Sequence, residues 1–290
     1  MTAHDDLRQQ LLAGLPVADR RLRVAGVATA VLQGGDGPPL VLLHGPAAHA
    51  GAWLTVLPEL ARTHRVVAPD LPGQGASTLT GAMDEAGVLR WLEELIERTC
   101  PTPPVVVGQL IGATMAMRLA LQAPTAIGRL VLVVPFGLAP FAPPPAFGAA
   151  LGAYLTAPTR ESHDELWDHC VADLAGLRAR LGSRWDVLRA YDVDRMRTPS
   201  VVASQATLME LFAFAPLPPA SLARIETPTS LVWGGRDAVV PLEVGEAASE
   251  RYGWPLEVVD DAGNEPALEA PEDFVRAVRR AVEGSVEVTA

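Results

Sequence analysis

Val105-Val106-Val107-Gly108-Gln109-Leu110-Ile111-Gly112-Ala113 reads as an apolar strand that passes through Gly-x-x-x-Gly into a helix of small and apolar residues, Leu110 to Leu121. In the G-x-S-x-G pattern a serine sits on a sharp strand-to-helix turn that the two glycines permit. Here the central position is Leu110, which has no nucleophilic atom. Whether the segment is such a turn depends on its neighbours.

Upstream, Pro39 to Gly45 is a short apolar run ending in His44-Gly45, and Ala50 to Ala61 is a helical stretch carrying Trp53 and Leu57. Val66 to Asp70 is a second buried strand, closed by Leu71-Pro72-Gly73-Gln74-Gly75-Ala76-Ser77, whose glycines and proline mark a loop. Downstream, Leu130 to Val134 is a strand, and Ser230 to Asp237 is another that ends Gly234-Gly235-Arg236-Asp237. Leu256 to Val259 is the last, followed by Asp260-Asp261-Ala262-Gly263-Asn264-Glu265-Pro266. Strands alternating with helices predict an α/β fold, a mostly parallel twisted sheet flanked by helices on both faces. From about Arg21 to Val282 the order His-Gly, Asp-Leu-Pro-Gly-x-Gly, elbow, Gly-Arg-Asp and C-terminal loop resembles the capped α/β-hydrolase superfamily.

That resemblance implies a core of residues 1–136 and 225–290, with a helical cap at 137–224 inserted after the sixth strand and roofing the pocket. The segment opens on the proline-rich Leu138 to Phe147 and then turns helical. Ser162-x-x-Glu165 has the form of a capping box, and Leu166, Cys170, Leu174, Leu177 and Leu181 follow at helical spacing. Leu208, Met209, Leu211, Phe212 and Phe214 either line the pocket or hold the cap together.

Composition narrows the function. The chain has 290 residues, 49% of them hydrophobic, enough for one large core. A net charge of −11 argues against nucleic acid or a membrane surface as partner. All 23 basic residues are arginine, so lysine Schiff-base chemistry is excluded. The charged first twenty residues and the absence of a long apolar stretch predict a cytoplasmic protein. Cys100 and Cys170 have neither zinc-site nor disulfide-framework spacing, and neither a metal nor a cofactor is expected. Oligomeric state leaves no trace in the sequence.

Acyl transfer on this fold needs a nucleophile, a base, an acid that orients the base, and two N–H donors for the oxyanion. Leu110 occupies the nucleophile position. Asn264 stands where the resemblance places the base histidine, and an amide cannot take and return a proton at neutral pH. In the oxyanion region the N–H of Ile111 survives, but the donor after His44-Gly45 falls on Pro46, which has no N–H. Losing one such donor costs about a hundredfold or more in rate. Only Asp237 stands at its expected triad position. Leu, Asn and Pro at three separated positions look like natural divergence rather than a designed knock-out.

Asp237, Asn264 and His163 are therefore the candidate catalytic residues. Burial would raise the pKa of Asp237 and let it act as a general acid or base; alternatively it is a relic bonded to backbone and to Asn264. His163, on the stripe of Trp167 and Cys170, is the best substitute base among six histidines, while His4 reads as part of an N-terminal tail. Pro46, Gln109, Phe136, Trp167 and Phe212 are the candidate substrate contacts. Glu265 and Glu269 match positions that face away from such a site or cap a helix. Three readings stay open. One is an enzyme without acyl transfer, of cyclase, lyase or isomerase type, acting on a small apolar molecule by acid–base catalysis and confinement. The others are a ligand-binding receptor or carrier, and a residual hydrolase using an activated water.

Overall fold

The computed structural model describes residues 3–81 and 83–283. Eight strands form one sheet: β1 (Ala18–Val24), β2 (Val27–Gly34), β3 (Pro39–Leu43), β4 (Arg65–Pro69), β5 (Val105–Gln109), β6 (Arg129–Val133), β7 (Thr229–Gly234) and β8 (Leu256–Val259). They lie in the order β1-β2-β4-β3-β5-β6-β7-β8. From β4 to β8 all neighbours are parallel, while β1 and β2 add an antiparallel edge. Every residue of β3 and β7 is buried, as expected when helices cover both faces. The strand order reverses at β3, between β4 and β5, so a crevice opens beyond the carboxyl ends of β3 and β5.

The β1–β2 hairpin turns through Ala25-Gly26, both at positive φ, as a two-residue primed turn requires. β1 carries Arg20, Arg21 and Arg23 and is largely exposed, the polar edge that discourages further strand pairing. Helix Glu85–Thr99 starts at Asp84, whose carboxylate accepts from Gly87 N–H, and it buries Trp91, whose indole N–H donates to Thr29. Helix Pro271–Glu283 buries Phe274, Val275, Val278 and Ala281 against the sheet on one stripe.

Residues 145–222, between β6 and β7, are helical throughout most of their length: Pro145–Thr156, Arg160–Cys170, Leu174–Leu181, Ser183–Met196, Pro199–Phe212 and Pro219–Leu222. The box that starts the second of these helices is Thr159 with Ser162, not Ser162 with Glu165. Thr159 Oγ1 accepts from Ser162 N–H, and Ser162 Oγ accepts from Thr159 N–H. The shift puts His163 at the fourth helical position. The apolar series from Leu166 to Leu181 is divided between two helices, because Asp173 caps a new one by accepting from Gly176 N–H.

The first helix, Ala3–Leu12, is not a tail. Leu11 is buried among Leu177, Trp185, Leu188 and Tyr191 of the helical segment, and His4 Nδ1 lies 2.9 Å from Asp194 Oδ2. Arg8, 3% exposed, spans from Asp19 to the fully buried Asp70 with N–O distances of 2.8 Å. Asp70 in turn accepts from Ala50 and Ala76 N–H, joining the loops after β3 and β4. Among the described residues, no helix is long and apolar enough to cross a membrane.

Candidate active site

Leu110 sits between β5 and helix Ile111–Gln122 with φ 49° and ψ −112°, a conformation that costs a non-glycine residue about 1–3 kcal/mol. Tight packing holds it there. A Cβ on Gly108 would approach Ala113 N to 2.6 Å, and one on Gly112 would approach Leu43 O to 2.6 Å. The turn is thus a strand-to-helix elbow, with a leucine at its tip that is 4% exposed.

Ile111 opens the following helix, so its N–H has no intrahelical partner. Across the crevice, Pro46 offers none, and the next N–H, of Ala47, is taken by Gln205 Oε1 at 2.8 Å. His44 holds this loop: its Nδ1–H donates to Gly45 O at 2.8 Å, and its Nε2 accepts from Leu71 N–H at 3.0 Å. Burial pushes its pKa down to about 4, so the ring stays neutral.

Asp237 and Asn264 meet, Asn264 Nδ2 donating to Asp237 Oδ2 at 2.9 Å. Asp237 Oδ1 accepts from Val239 and Val240 N–H at 2.8 and 2.9 Å. Burial raises its pKa against these opposing hydrogen bonds, but the carboxylate is committed to them and lies outside the wall of the chamber described next. Asn264 N–H donates to Cys170 O at 2.7 Å, tying the C-terminal loop to the helical segment.

Between the loop after β3 and the helical segment lies a chamber of about 70 Å³, walled in part by Pro46, His49, Tyr154, His163, Trp167 and Glu265. His163 is fully buried and stacks on Trp167 with centroids 5.5 Å apart. Its Nε2 lies 3.1 Å from Asp192 Oδ2, and His49 Nε2 lies 3.0 Å from Asp192 Oδ1. Because His49 Nδ1 accepts from Gly51 N–H, its Nε2 is the protonated nitrogen and donates to Asp192. Burial pushes the Asp192 carboxyl up, yet the bonds from His163 and His49 together hold it below its ordinary value. His49 belongs to the core loop and the other two to the helical segment, so this bridge fastens one to the other.

Glu265 is the residue that sequence reasoning set aside. Gln109, 3% exposed, donates from Nε2 to Glu265 Oε2 at 2.9 Å and to Asn264 O at 3.0 Å. Burial pushes the Glu265 pKa up to about 8, with the Gln109 bond opposing and the charge of Glu269 adding to the rise. The half-buried side chain lines the chamber, and its surroundings favour the neutral form. Glu269 keeps the structural part expected of it, accepting from Gly263, Glu265 and Ala172 N–H. Asp192 and Tyr154, also on the wall, left no motif: one is an acid in mid-helix, the other one of two aromatics on an apolar helix.

Of the expected contacts, Pro46 and Trp167 line the chamber and Gln109 orients it. Phe136 and Phe212 do not line it. Phe136 packs on Phe141 with centroids 4.5 Å apart, and Phe212 is fully buried in the main core beneath the Arg118 guanidinium. Among the described residues no three His, Cys, Asp or Glu side chains are grouped to hold a metal ion.

Comparison with known proteins places this geometry. The chain is 32% identical over 263 residues to the pimeloyl-[acyl-carrier protein] methyl ester esterase of Aromatoleum aromaticum, covering 85% of this chain and 99% of that one. It is 30% identical over 248 residues to the magnesium-chelatase 30 kDa subunit of Rhodobacter capsulatus, covering 80% and 83%. Among solved structures, 2-hydroxy-6-oxo-6-phenylhexa-2,4-dienoate hydrolase from Rhodococcus sp. strain RHA1 superposes with a TM-score of 0.79 at 24% identity, over 93% of this chain and 99% of the other. Carboxylesterase CesB from Bacillus subtilis gives 0.81 at 21% identity, over 98% of each. At these identities the structural matches speak for the fold alone. The sequence model of the alpha/beta hydrolase family matches residues 40–277, and with the elbow and sheet order above it makes this chain a member of that family.

Proposed function

We propose that this protein is an α/β-hydrolase-family enzyme that does not transfer acyl groups, and that it acts by proton transfer on a small apolar molecule held in the chamber, as a cyclase, lyase or isomerase does. The observation that carries the reading is Glu265, a carboxyl whose pKa is pushed up to about 8, on the wall of a small chamber beside an elbow whose tip is Leu110. A neutral acid near its pKa at working pH both gives and regains a proton readily. In this reading the triad is degenerate: Leu110 has no nucleophile, Asn264 no basic nitrogen, and Asp237 serves the loop through its three hydrogen bonds.

The helical segment 137–224 serves as the cap, closed over the core by the His49–Asp192–His163 bridge. A residual hydrolase would need Asp237 or a cap histidine to activate water; Asp237 is committed to three hydrogen bonds, whereas His163 keeps Nδ1 without a hydrogen-bond partner among the described residues. The small chamber under the helical segment also suits a carrier, which would retain its ligand unchanged. The test is hydrolysis of a short- to medium-chain p-nitrophenyl ester series by the wild type and by Asp237→Asn from parallel preparations. No turnover above buffer is expected in either protein. Turnover in the wild type that disappears in the variant would overturn the reading and make Asp237 the base of a hydrolase.

A further inference from the structure

Tyr154 is 2% exposed, lines the chamber, and its hydroxyl has no partner among the described residues. A buried hydroxyl left without a hydrogen bond is costly, and such groups are satisfied by water or ligand. Burial, with the Asp192 charge adding, holds its pKa above the ordinary tyrosine value, so it remains a donor. Asp192 cannot absorb it readily, since each of its oxygens already faces a histidine nitrogen. Two further polar groups on the wall are on offer: the Glu265 carboxyl, one oxygen of which is held by Gln109, and His163 Nδ1, which has no hydrogen-bond partner among the described residues.

We propose that Tyr154 Oη and the Glu265 carboxyl together seat a single carbonyl oxygen, so that the substrate class is a small enolisable ketone or aldehyde. Two donors on the wall of one chamber suit an oxygen with two lone pairs. An anionic ligand is disfavoured, because the wall carries no arginine among the described residues and the chain has no lysine. The volume of about 70 Å³ is well below the roughly 150 Å³ of a cavity that holds benzene, so it suits a group of a few heavy atoms.

The proton-transfer step rests on the function proposed above. Glu265 O–H passes its proton to the carbonyl oxygen, and the carboxylate left behind removes a proton from the adjacent carbon. The C–H electron pair becomes the C=C bond of the enol, and Glu265 is returned protonated with no co-reactant consumed.

The test is saturation-transfer NMR titration of the whole protein with butanone and with 2-methylbut-1-ene, in which CH₂ replaces the carbonyl oxygen. Wild type is expected to prefer butanone. Tyr154→Phe removes only an unpartnered hydroxyl, so it is expected to fold with an undiminished Tm while losing about three- to tenfold in butanone affinity and none for the alkene. Equal affinity for the two probes in wild type, or equal losses for both in the variant, would overturn the oxygen seat. Deuterium uptake at C3 of butanone in D₂O, lost in Glu265→Gln, would support the proton step. Its absence with the binding contrast intact would refute that step and leave the seat standing.

Discussion

Raising the pH should cost the wild-type protein stability that a Glu265→Gln variant keeps. The Glu265 carboxyl has a pKa of about 8 in the folded protein against an ordinary 4.5, so between those values the native state holds a proton that the unfolded chain has released. Its contribution is fully present below the unfolded pKa and is lost as pH rises through the folded one. One proton of difference changes the unfolding free energy by about 1.36 kcal/mol per pH unit. From about pH 5.5 to about pH 7.5 that is at most about 2.7 kcal/mol. The side chain is only half-buried, so about 1–2 kcal/mol is the working expectation. The amide introduced by Glu265→Gln would keep an oxygen for Gln109 and has no proton to release. Asp237 and Glu269, whose pKa values are also raised, and Asp70 and Asp192, whose values are lowered, are common to both proteins and cancel in the difference. Urea unfolding of both proteins across this range measures it, with the wild type losing ground to the variant as pH rises. Parallel curves would show that Glu265 ionises like an ordinary surface glutamate, and would remove the neutral acid on which the proposed chemistry depends.

Asp192→Asn should destabilise the protein by about 2–4 kcal/mol at neutral pH, since one amide oxygen replaces two charged acceptors between His49 and His163. Measured by denaturant unfolding, the deficit should shrink on acidification, because a carboxyl held below its ordinary value loses its stabilising contribution as pH falls through its folded pKa. Arg8→Leu should lower stability by about 3 kcal/mol, read as a fall in Tm of roughly 5–10 °C, by stranding the buried charge of Asp70 on two backbone N–H groups. An unchanged Tm would mean that the first helix contributes nothing to the loops it reaches.

The frame of the fold was legible because parallel strands buried on both faces must be continuous apolar runs, and β3, β5, β6 and β7 are just that. β1 escaped because an exposed edge with three arginines has no apolar pattern to read. The first helix escaped for a related reason: its anchor is Arg8, and a charged residue announces burial only when its partners, Asp19 and the distant Asp70, are known. Asn264 and Asp237 were placed together by motif spacing. The neighbours of Tyr154 and Asp192 come from segments far apart in the chain, and no local spacing encodes them.

Glu265 shows most plainly where sequence reading stopped. Its position follows Asn264 by one residue, in a loop whose N–H groups at Gly263 and Glu265 are gathered by Glu269, and this fixes the backbone. Which way the side chain turns is decided by Gln109, one residue before the elbow tip, whose amide bridges the loop's backbone and the carboxylate. The elbow itself does not need a serine. Gly108 and Gly112 are required by contacts with Ala113 and Leu43, so the strand-to-helix turn persists whatever side chain stands at its tip. With leucine there, the tip is apolar and Gln109 becomes the elbow's polar contribution to the site. It thereby steers a half-buried carboxyl toward the chamber, so that an inherited turn is coupled to the proposed proton carrier outside the triad.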